Sequence, residues 1–146
     1  MSKRKKSQAK KGFTMIELMA VLIILGLLFT LVATRVTNQI DKARVTTTKV
    51  NLKMLAAKVQ EFKMNHNRYP TEEEGLNALV QDPGDVENYP PGGYLETTEV
   101  PTDAWGNEFY YQLDPETNGF VIISWGADGE EGGEGYDADL YSTDAQ

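Results

Sequence analysis

An acidic, glycine-rich stretch near the C-terminus, "SWGADGEEGGEGYDADL" at residues 124–140, holds the residues best suited to chemistry. Five glycines fall between 126 and 135, and six acids fall between Asp128 and Asp139. Glycine permits tight turns that aim carbonyl oxygens inward, and carboxylates are hard ligands of the kind that Ca²⁺ prefers. The spacing lacks the D-x-D-x-D-G pattern and the terminal Glu of an EF-hand. The residues alone therefore leave two interpretations open, a calcium site and a flexible acidic loop.

Glu17 is the second residue that calls for a chemical explanation, because it is the only charge between Phe13 and Thr34. A carboxylate inside a bilayer-spanning helix is costly unless it finds a partner. Cleavage after Gly12 would give Phe13 a free amine close to Glu17 in a helical bundle of identical chains. An ion pair between Glu17 and a neighbour's Phe13 amine would partly offset the cost of burial and set the axial register.

The apolar run that holds Glu17 is long enough to cross a membrane. At ~1.5 Å per residue, a helix over 13–34 is about 30 Å long, the thickness of the hydrocarbon core. Residues 1–12 carry six Lys and Arg and no acid, which predicts a cytoplasmic N-terminus and an outward C-terminal part. An ordinary signal peptide has a shorter core and a small-residue cleavage site. A plain anchor fits the length but leaves Glu17 unexplained.

The elements that position these residues begin with one helix of about 50 residues. No Pro or Gly falls between Arg35 and Met64, so the apolar helix is expected to continue into an amphipathic half. The stretch 65–70 ends it, and the single histidine, His66, is interpreted as a cap or dipole partner, not a ligand. The apolar positions that share one face and need a covering layer are Val45, Leu52, Leu55, Val59 and Phe62.

The C-terminal half predicts short elements separated by turns. Thr71 and Glu74 form a capping-box pattern, and Trp105-Gly106-Asn107 is a turn signal. A sheet this small needs the helix face to cover it. In chain order, the predicted elements are a short helix at 72–80, a third strand near Tyr94, and a hairpin of strands 108–113 and 120–125 joined by 114–119.

Composition excludes several function classes. After Arg68 there are 19 Asp and Glu and no Lys or Arg, which argues against a nucleic-acid partner. The chain has no cysteine, and hence no disulfide and no thiolate chemistry. We find no nucleophile–His–acid set, no phosphate loop and no His/Cys metal cluster, and His66 alone does not support most hydrolase schemes. We therefore do not expect an enzyme.

The N-terminal motif "KKGFTMIELMAVLIILGLL" resembles the type IV prepilin-like leader and helix. Further along, "NRYPTEEEGLNALV", "GGYL", "DAWGNEFYYQ" and "ISWGADG" follow, in order, the pattern of the major pseudopilin of type II secretion systems. The resemblance covers the chain from Gly12 to Leu140. Two departures stand out: Ala104 precedes the Trp where that family usually has Pro, and the C-terminal loop is longer and richer in Gly and Glu.

The resemblance implies an α+β, type IV pilin-like fold, in which a long N-terminal helix packs on a small antiparallel sheet with a C-terminal calcium loop. It implies a leader at 1–12, a transmembrane and assembly helix at 13–34, and a periplasmic domain at 35–146. A prepilin peptidase would cut after Gly12 and methylate Phe13, and Glu17 would serve in assembly. The calcium ligands that it implies are the Trp125 carbonyl, Asp128 and Asp139, with Asp137 as a further ligand and Glu134 as a weaker candidate.

The function implied by the resemblance is that of a structural subunit. The chain would polymerise through its N-terminal helix into a periplasmic pseudopilus that drives export of folded proteins across the outer membrane. Its partners would be copies of itself, minor pseudopilins, the inner-membrane assembly platform, the prepilin peptidase and the exported proteins. It would cross the bacterial inner membrane once, with its N-terminus in the cytoplasm. The alternative is a type IV pilin or competence pseudopilin, and the lack of cysteine favours the first because many such pilins carry a C-terminal disulfide.

Overall fold

The structure, a computed structural model, describes residues 12–145, without the side chains of 33–38 and 145. The predicted leader therefore lies outside the described residues except for Gly12. The chain divides into two compact units, one ending at Gln39 and one beginning at Ile40. The assignment of 13–34 to a membrane and of 35–146 to the periplasm stays a prediction.

Helix α1 runs from Met15 to His66 and confirms the prediction of one long helix. Its last turn carries His66 and Lys63, and the positive charge of Lys63 suits the negative end of the helix dipole. The helix stops at Asn67, which takes a left-handed conformation (φ 56°) and donates its N–H to the Lys63 carbonyl at 2.8 Å. Asparagine tolerates this conformation better than most residues do, which explains why the "NHN" stretch ends the helix.

The inner face of α1 between residues 48 and 62 forms the centre of the core. Leu52, Leu55, Val59 and Phe62 are fully buried, as the apolar spacing predicts, while Val45 is only half-buried. Thr48 continues the same stripe and is fully buried too. The residues that cover this face come from the C-terminal half and include Leu76, Leu79, Tyr94, Phe109, Tyr111 and Ile122.

A three-stranded antiparallel sheet supplies part of that cover. Its strands are β1 (Tyr110–Asp114), β2 (Gly119–Ser124) and β3 (Leu140–Tyr141), in the order β1-β2-β3. The predicted hairpin is confirmed, with Tyr111 paired to Ile122 in register. Together with α1, the sheet confirms the α+β class.

The prediction of a third strand near Tyr94 is wrong. Tyr94 lies in a bend, where its N–H donates to the Leu79 carbonyl at 2.7 Å. The preceding Gly93 packs so closely that a Cβ there would come within 2.7 Å of the same carbonyl. The chain is thus pinned to the end of a short helix and is not free to pair with a strand. The third strand, β3, instead follows the acidic stretch.

The helix predicted at 72–80 is shorter than expected and of a different type. The structure has a turn at 72–74 and then a 3₁₀ helix at Gly75–Leu79. The capping box is confirmed, since the Thr71 N–H donates to Glu74 at 2.8 Å and the Glu74 N–H donates to the Thr71 hydroxyl at 3.2 Å. Gly75 adopts a left-handed conformation (φ 53°), which interrupts an α-helix immediately after the cap.

Arg68 joins the end of α1 to the segment that follows it. Its guanidinium donates to both carboxylate oxygens of Glu74 at 2.8 Å and to Asp85 at 2.6 Å. The bidentate hydrogen bond to Arg68 lowers the pKa of Glu74, and the same bond raises the pKa of Arg68. This contact closes the turn that brings residues 71–85 back against the helix.

Replacing Phe62 with Ala tests the core assignment. Because Phe62 is fully buried, Phe62→Ala is expected to cost about 3–5 kcal/mol of unfolding free energy through lost transfer energy and a residual cavity. Chemical denaturation followed by tryptophan fluorescence measures the loss. The matched control is Met64→Ala on the same helix, where the side chain is 79% exposed and the change should stay within about 0.5 kcal/mol. Equal losses in the two variants would contradict the assignment.

The Glu74 pKa predicts a pH dependence of stability. Since folding lowers this pKa, the contribution of Glu74 is complete above its ordinary value of 4.5 and is lost as pH falls through the lower folded value. Glu74→Gln should remove about 1–2 kcal/mol at neutral pH and flatten the acid limb of the stability curve. The exposed neighbour provides the control, Glu73→Gln, which should keep the wild-type acid limb. Identical acid limbs in wild type and Glu74→Gln would refute the prediction.

Candidate functional site

The first candidate site is the start of α1, where Glu17 lies in the first turn. The Glu17 carboxylate accepts the Thr14 N–H at 2.9 Å, and the Glu17 N–H donates to the Thr14 hydroxyl at 3.2 Å. This reciprocal pair is a capping box, which the T-M-I-E spacing signals and the sequence analysis missed. Phe13 precedes it and is 90% exposed. Within one chain, Glu17 thus binds a backbone donor only one residue away from the predicted new N-terminus.

The apolar part of α1 leaves its side chains uncovered in the single chain. The window Met15–Val32 has a mean hydropathy of 2.7, and none of it is buried. This part of the helix is long and apolar enough to cross a membrane. An uncovered apolar surface of this extent requires lipid or other protein chains around it.

The second candidate site is the acidic loop between the end of β2 and the start of β3. The loop is closed on itself by the Ala127 N–H, which donates to the Tyr136 carbonyl at 3.0 Å. A Cβ on Gly126 (φ 66°) would come within 2.7 Å of the Asp137 carbonyl oxygen, and one on Gly133 (φ 85°) within 2.5 Å of it. The two glycines therefore form a cradle for the backbone of Asp137, which brings the two ends of the loop together.

The predicted calcium ligands lie on both sides of this closure. Asp128 accepts the Glu130 N–H at 3.1 Å, and Asp139 accepts the Gly132 N–H at 3.0 Å. Asp139 also accepts the Tyr141 hydroxyl at 3.2 Å, and burial, followed by this bond, raises the pKa of Tyr141. The Asp137 and Glu134 side chains are exposed, and the Trp125 ring stacks on Tyr110 with 5.4 Å between ring centroids.

The loop fits a calcium ion in the chemistry of its donors, but its carboxylates are not gathered around one point. All the candidate donors are hard oxygens, as Ca²⁺ requires, and the glycine cradle brings residues 126 and 137 together. Among residues 12–145, however, no three His, Cys, Asp or Glu side chains form a group that could hold a metal ion. The assignment of Trp125, Asp128, Asp137 and Asp139 as ligands stays a prediction.

A buried carboxylate, Asp103, fixes where the acidic loop starts, and the sequence analysis missed it. One oxygen of Asp103 accepts the N–H groups of Trp105 and Asn107 at 3.0 and 2.8 Å, and the other accepts the Ser124 hydroxyl at 2.7 Å. The Asn107 amide then donates to the Gly126 carbonyl at 3.0 Å. The only signal in the sequence was the position of an Asp two residues before a Trp-Gly turn.

The same turn is tied to α1 through Thr48. The Ala104 N–H donates to the fully buried Thr48 hydroxyl at 3.1 Å. A proline at position 104, the residue usual in the family that the chain resembles, has no N–H and could not make this bond. The departure at Ala104 therefore adds a hydrogen bond between this turn and α1.

Comparison with known families gives two matches. The family model described as "Type II secretion system (T2SS), protein G" matches residues 35–143. The model described as "Prokaryotic N-terminal methylation motif" matches residues 7–33, which include Gly12, Phe13 and Glu17. The second match supports the prediction of a processed and methylated N-terminus without testing which residue is modified.

Relatives named "Type II secretion system core protein G" align along nearly the whole chain. That of Pseudomonas aeruginosa is 42% identical over 139 residues, covering 92% of this chain and 96% of the relative. That of Vibrio cholerae is 37% identical over 139 residues, covering 93% of each.

A solved structure supports the fold in the same way. The crystal structure of the major pseudopilin from the type 2 secretion system of enterohaemorrhagic Escherichia coli aligns with a TM-score of 0.59 and 29% identity. The alignment covers 72% of this chain and 90% of that one, and it confirms the predicted type IV pilin-like fold. On the match over 35–143, the near full-length relatives and this structure, the chain belongs to the protein G family of type II secretion systems, the family of the major pseudopilins.

Proposed function

We propose that the chain is the structural subunit of a type II secretion pseudopilus. Copies polymerise through the apolar part of α1 into a filament that drives the export of folded proteins across the outer membrane. One observation carries the proposal. In a chain of the protein G family, the apolar segment Met15–Val32 is wholly uncovered. Packing of this segment against identical helices in the filament removes its apolar surface from water. The role of a filament subunit needs no catalysis by this chain.

Before assembly, the same segment anchors the subunit in the inner membrane. The basic residues at 1–12 stay in the cytoplasm, and the acidic domain lies in the periplasm, which gives a single pass. The prepilin peptidase cuts after Gly12 and methylates Phe13. The inner-membrane assembly platform, the minor pseudopilins and the exported proteins complete the set of partners.

Glu17 controls the step from membrane to filament. In the single chain its carboxylate accepts a hydrogen bond from the Thr14 N–H, so the charge is partly satisfied in the membrane-inserted subunit before assembly. Once Gly12 is removed, the amine of Phe13 in a neighbouring subunit offers a full positive charge. Exchanging a backbone donor for an ammonium group strengthens the contact and favours one axial register.

In the periplasm, calcium binding to the acidic loop stabilises the folded domain. The proposed ligands are the carbonyl of Trp125 and the carboxylates of Asp128, Asp137 and Asp139. The proposal is supported by the oxygen-only donor set and by the glycine cradle that brings the ends of the loop together. A bound cation would offset the mutual repulsion of the six acids between 128 and 139.

Replacing Glu17 tests the assembly role. In cells whose own copy is deleted, Glu17→Ala is expected to abolish filaments and release of exported proteins, because the neighbour's amine loses its partner. The variant should still accumulate in the membrane fraction. The control is Glu116→Ala, which removes an exposed carboxylate at the β1–β2 turn and should secrete normally. Normal filaments with Glu17→Ala would refute the role, and a loss of surface motility instead of secretion would favour the pilin alternative.

Thermal melting of the purified full-length protein in detergent tests the calcium site. At calcium about 100-fold above Kd the ion should add about 2.7 kcal/mol and raise the melting temperature by several degrees, and EDTA should reverse this. Asp128→Ala should melt at the EDTA temperature with or without calcium. Glu116→Ala, with the same charge change outside the loop, should keep the full calcium response. If EDTA leaves wild-type melting unchanged, the calcium assignment is wrong.

A further inference from the structure

The outer side of α1 carries a second stripe of exposed positions, which is apolar except for Thr47 and Glu61. Its positions alternate in steps of four and three along the helix, the spacing of a seam between packed helices. Val50 is 61% exposed, Met54 is 38% exposed and Met64 is 79% exposed. We call this surface the outer seam; its positions are Ala43, Thr47, Val50, Met54, Ala57, Glu61 and Met64.

The outer seam lies opposite the stripe that fills the core. That inner stripe, which includes Leu52, Leu55 and Phe62, is fully buried against the sheet and its neighbouring loops. One helix thus presents two apolar faces with the same kind of spacing, and the fold of the single chain uses only one of them. Exposed apolar stripes of this length mark interaction surfaces.

Lysines without an acidic partner flank the outer seam. Lys49 and Lys53 lie four residues apart along one edge of it, and neither takes part in an ion pair among the described residues. By contrast, Arg44 pairs with Asp41 and Lys58 pairs with Glu61. The partner that the seam fits therefore has an acidic surface with apolar groups within it.

The chain itself offers such a surface. A cleft of about 610 Å³ lies between the turn at 72–74, the segment around 98–102 and the start of β1. Its polar walls carry four exposed acids that form no ion pair in the described chain, and Tyr110, 48% exposed, adds apolar surface. The four acids are Glu72, Glu73, Glu99 and Glu108.

From this complementarity we infer that the outer seam of one copy docks into the acidic cleft of a second copy, with Lys49 and Lys53 facing the cleft carboxylates. The inference rests on the proposed function and adds a contact between the globular parts to the one between the apolar helices. Seam and cleft are different surfaces of the same molecule, so the contact is head-to-tail. Contacts of this kind propagate into open helical filaments unless the rotation closes them into a ring, whereas a surface that pairs with itself stops at a dimer.

Cysteine cross-linking in cells tests the contact directly, because the natural chain has no cysteine. Two full-length chains with different tags are co-expressed, one carrying Met54→Cys in the seam and the other Thr98→Cys in the cleft. Mild oxidation should link the two tags, since a disulfide requires Cβ atoms about 4 Å apart. Replacing Thr98→Cys with Asn118→Cys, at the exposed tip of the β1–β2 turn, gives the matched control, in which linkage should fall about tenfold or more.

Charge reversal in the same assay tests the role of the lysines. The double change Lys49→Glu with Lys53→Glu should lower linkage about tenfold, and Glu99→Lys with Glu108→Lys in the cleft chain should restore it to within about twofold. Arg44→Glu, on the same helix but away from the seam, should have no comparable effect. Equal linkage in the Asn118→Cys control, failure of the restoring pair, or linkage of Met54→Cys to a different protein would each overturn the inference.

Filament formation is scored separately by electron microscopy, which separates the two claims. If filaments depend on Glu17 but Met54→Cys and Thr98→Cys give no linkage, the docking contact is refuted and the proposed function is retained. If the natural chain forms no filaments when its secretion system is present, the proposed function itself is refuted.

Discussion

The hydrogen bonds to the Asp103 carboxylate are the interactions on which the arrangement of the C-terminal half depends. It has no cationic partner among the described residues and is 4% exposed, so its charge is balanced by N–H and O–H donors alone. Those donors belong to a turn and to the end of β2, and Asn107 extends the network to the carbonyl of Gly126. A buried polar network is stable only when every member is satisfied, because an unpaired group in the interior costs its full desolvation energy. The start of the acidic loop is therefore held by hydrogen bonds to the buried Asp103 and to Asn107.

Charge is divided within the globular unit between helix α1 and the elements that follow it. Its Lys and Arg lie on α1 or at Arg68 directly after it, whereas the loops and strands that follow are acidic throughout. Arg68 is used inside the chain, where it holds Glu74 and Asp85. Exposed ion pairs contribute little to folding, but complementary charged surfaces speed encounter between molecules and select their orientation. The basic part of α1 and the acidic body that follows it therefore supply the charge complementarity of the proposed contact between copies.

Periodicity and caps predicted the larger elements, while contacts distant in sequence decided the rest. The inner face of α1 follows from apolar spacing, and the hairpin follows from two β-rich runs around a turn, since both signals are local. The strand expected near Tyr94 failed because Gly93 is held against Leu79, a contact that spans fourteen residues and leaves no local pattern. Likewise, no local pattern in the sequence distinguishes Asp103 from the other acids, and only the fold shows that it is buried. The many carboxylates of the acidic loop were readable from composition, but their positions depend on how the glycines fold around Asp137.

The hydrogen bond between the Thr48 hydroxyl and the Ala104 N–H has a consequence for how this fold can diverge. With proline at 104, the hydroxyl would remain in a closed interior without its donor, and an apolar side chain of similar volume would then be preferred at 48. Substitution at either position thus changes the effect on stability of substitution at the other, although 56 residues separate them. A chain with an amide hydrogen at position 104 can therefore hold a hydroxyl at position 48, and a change to proline there would cost stability as long as that hydroxyl remains.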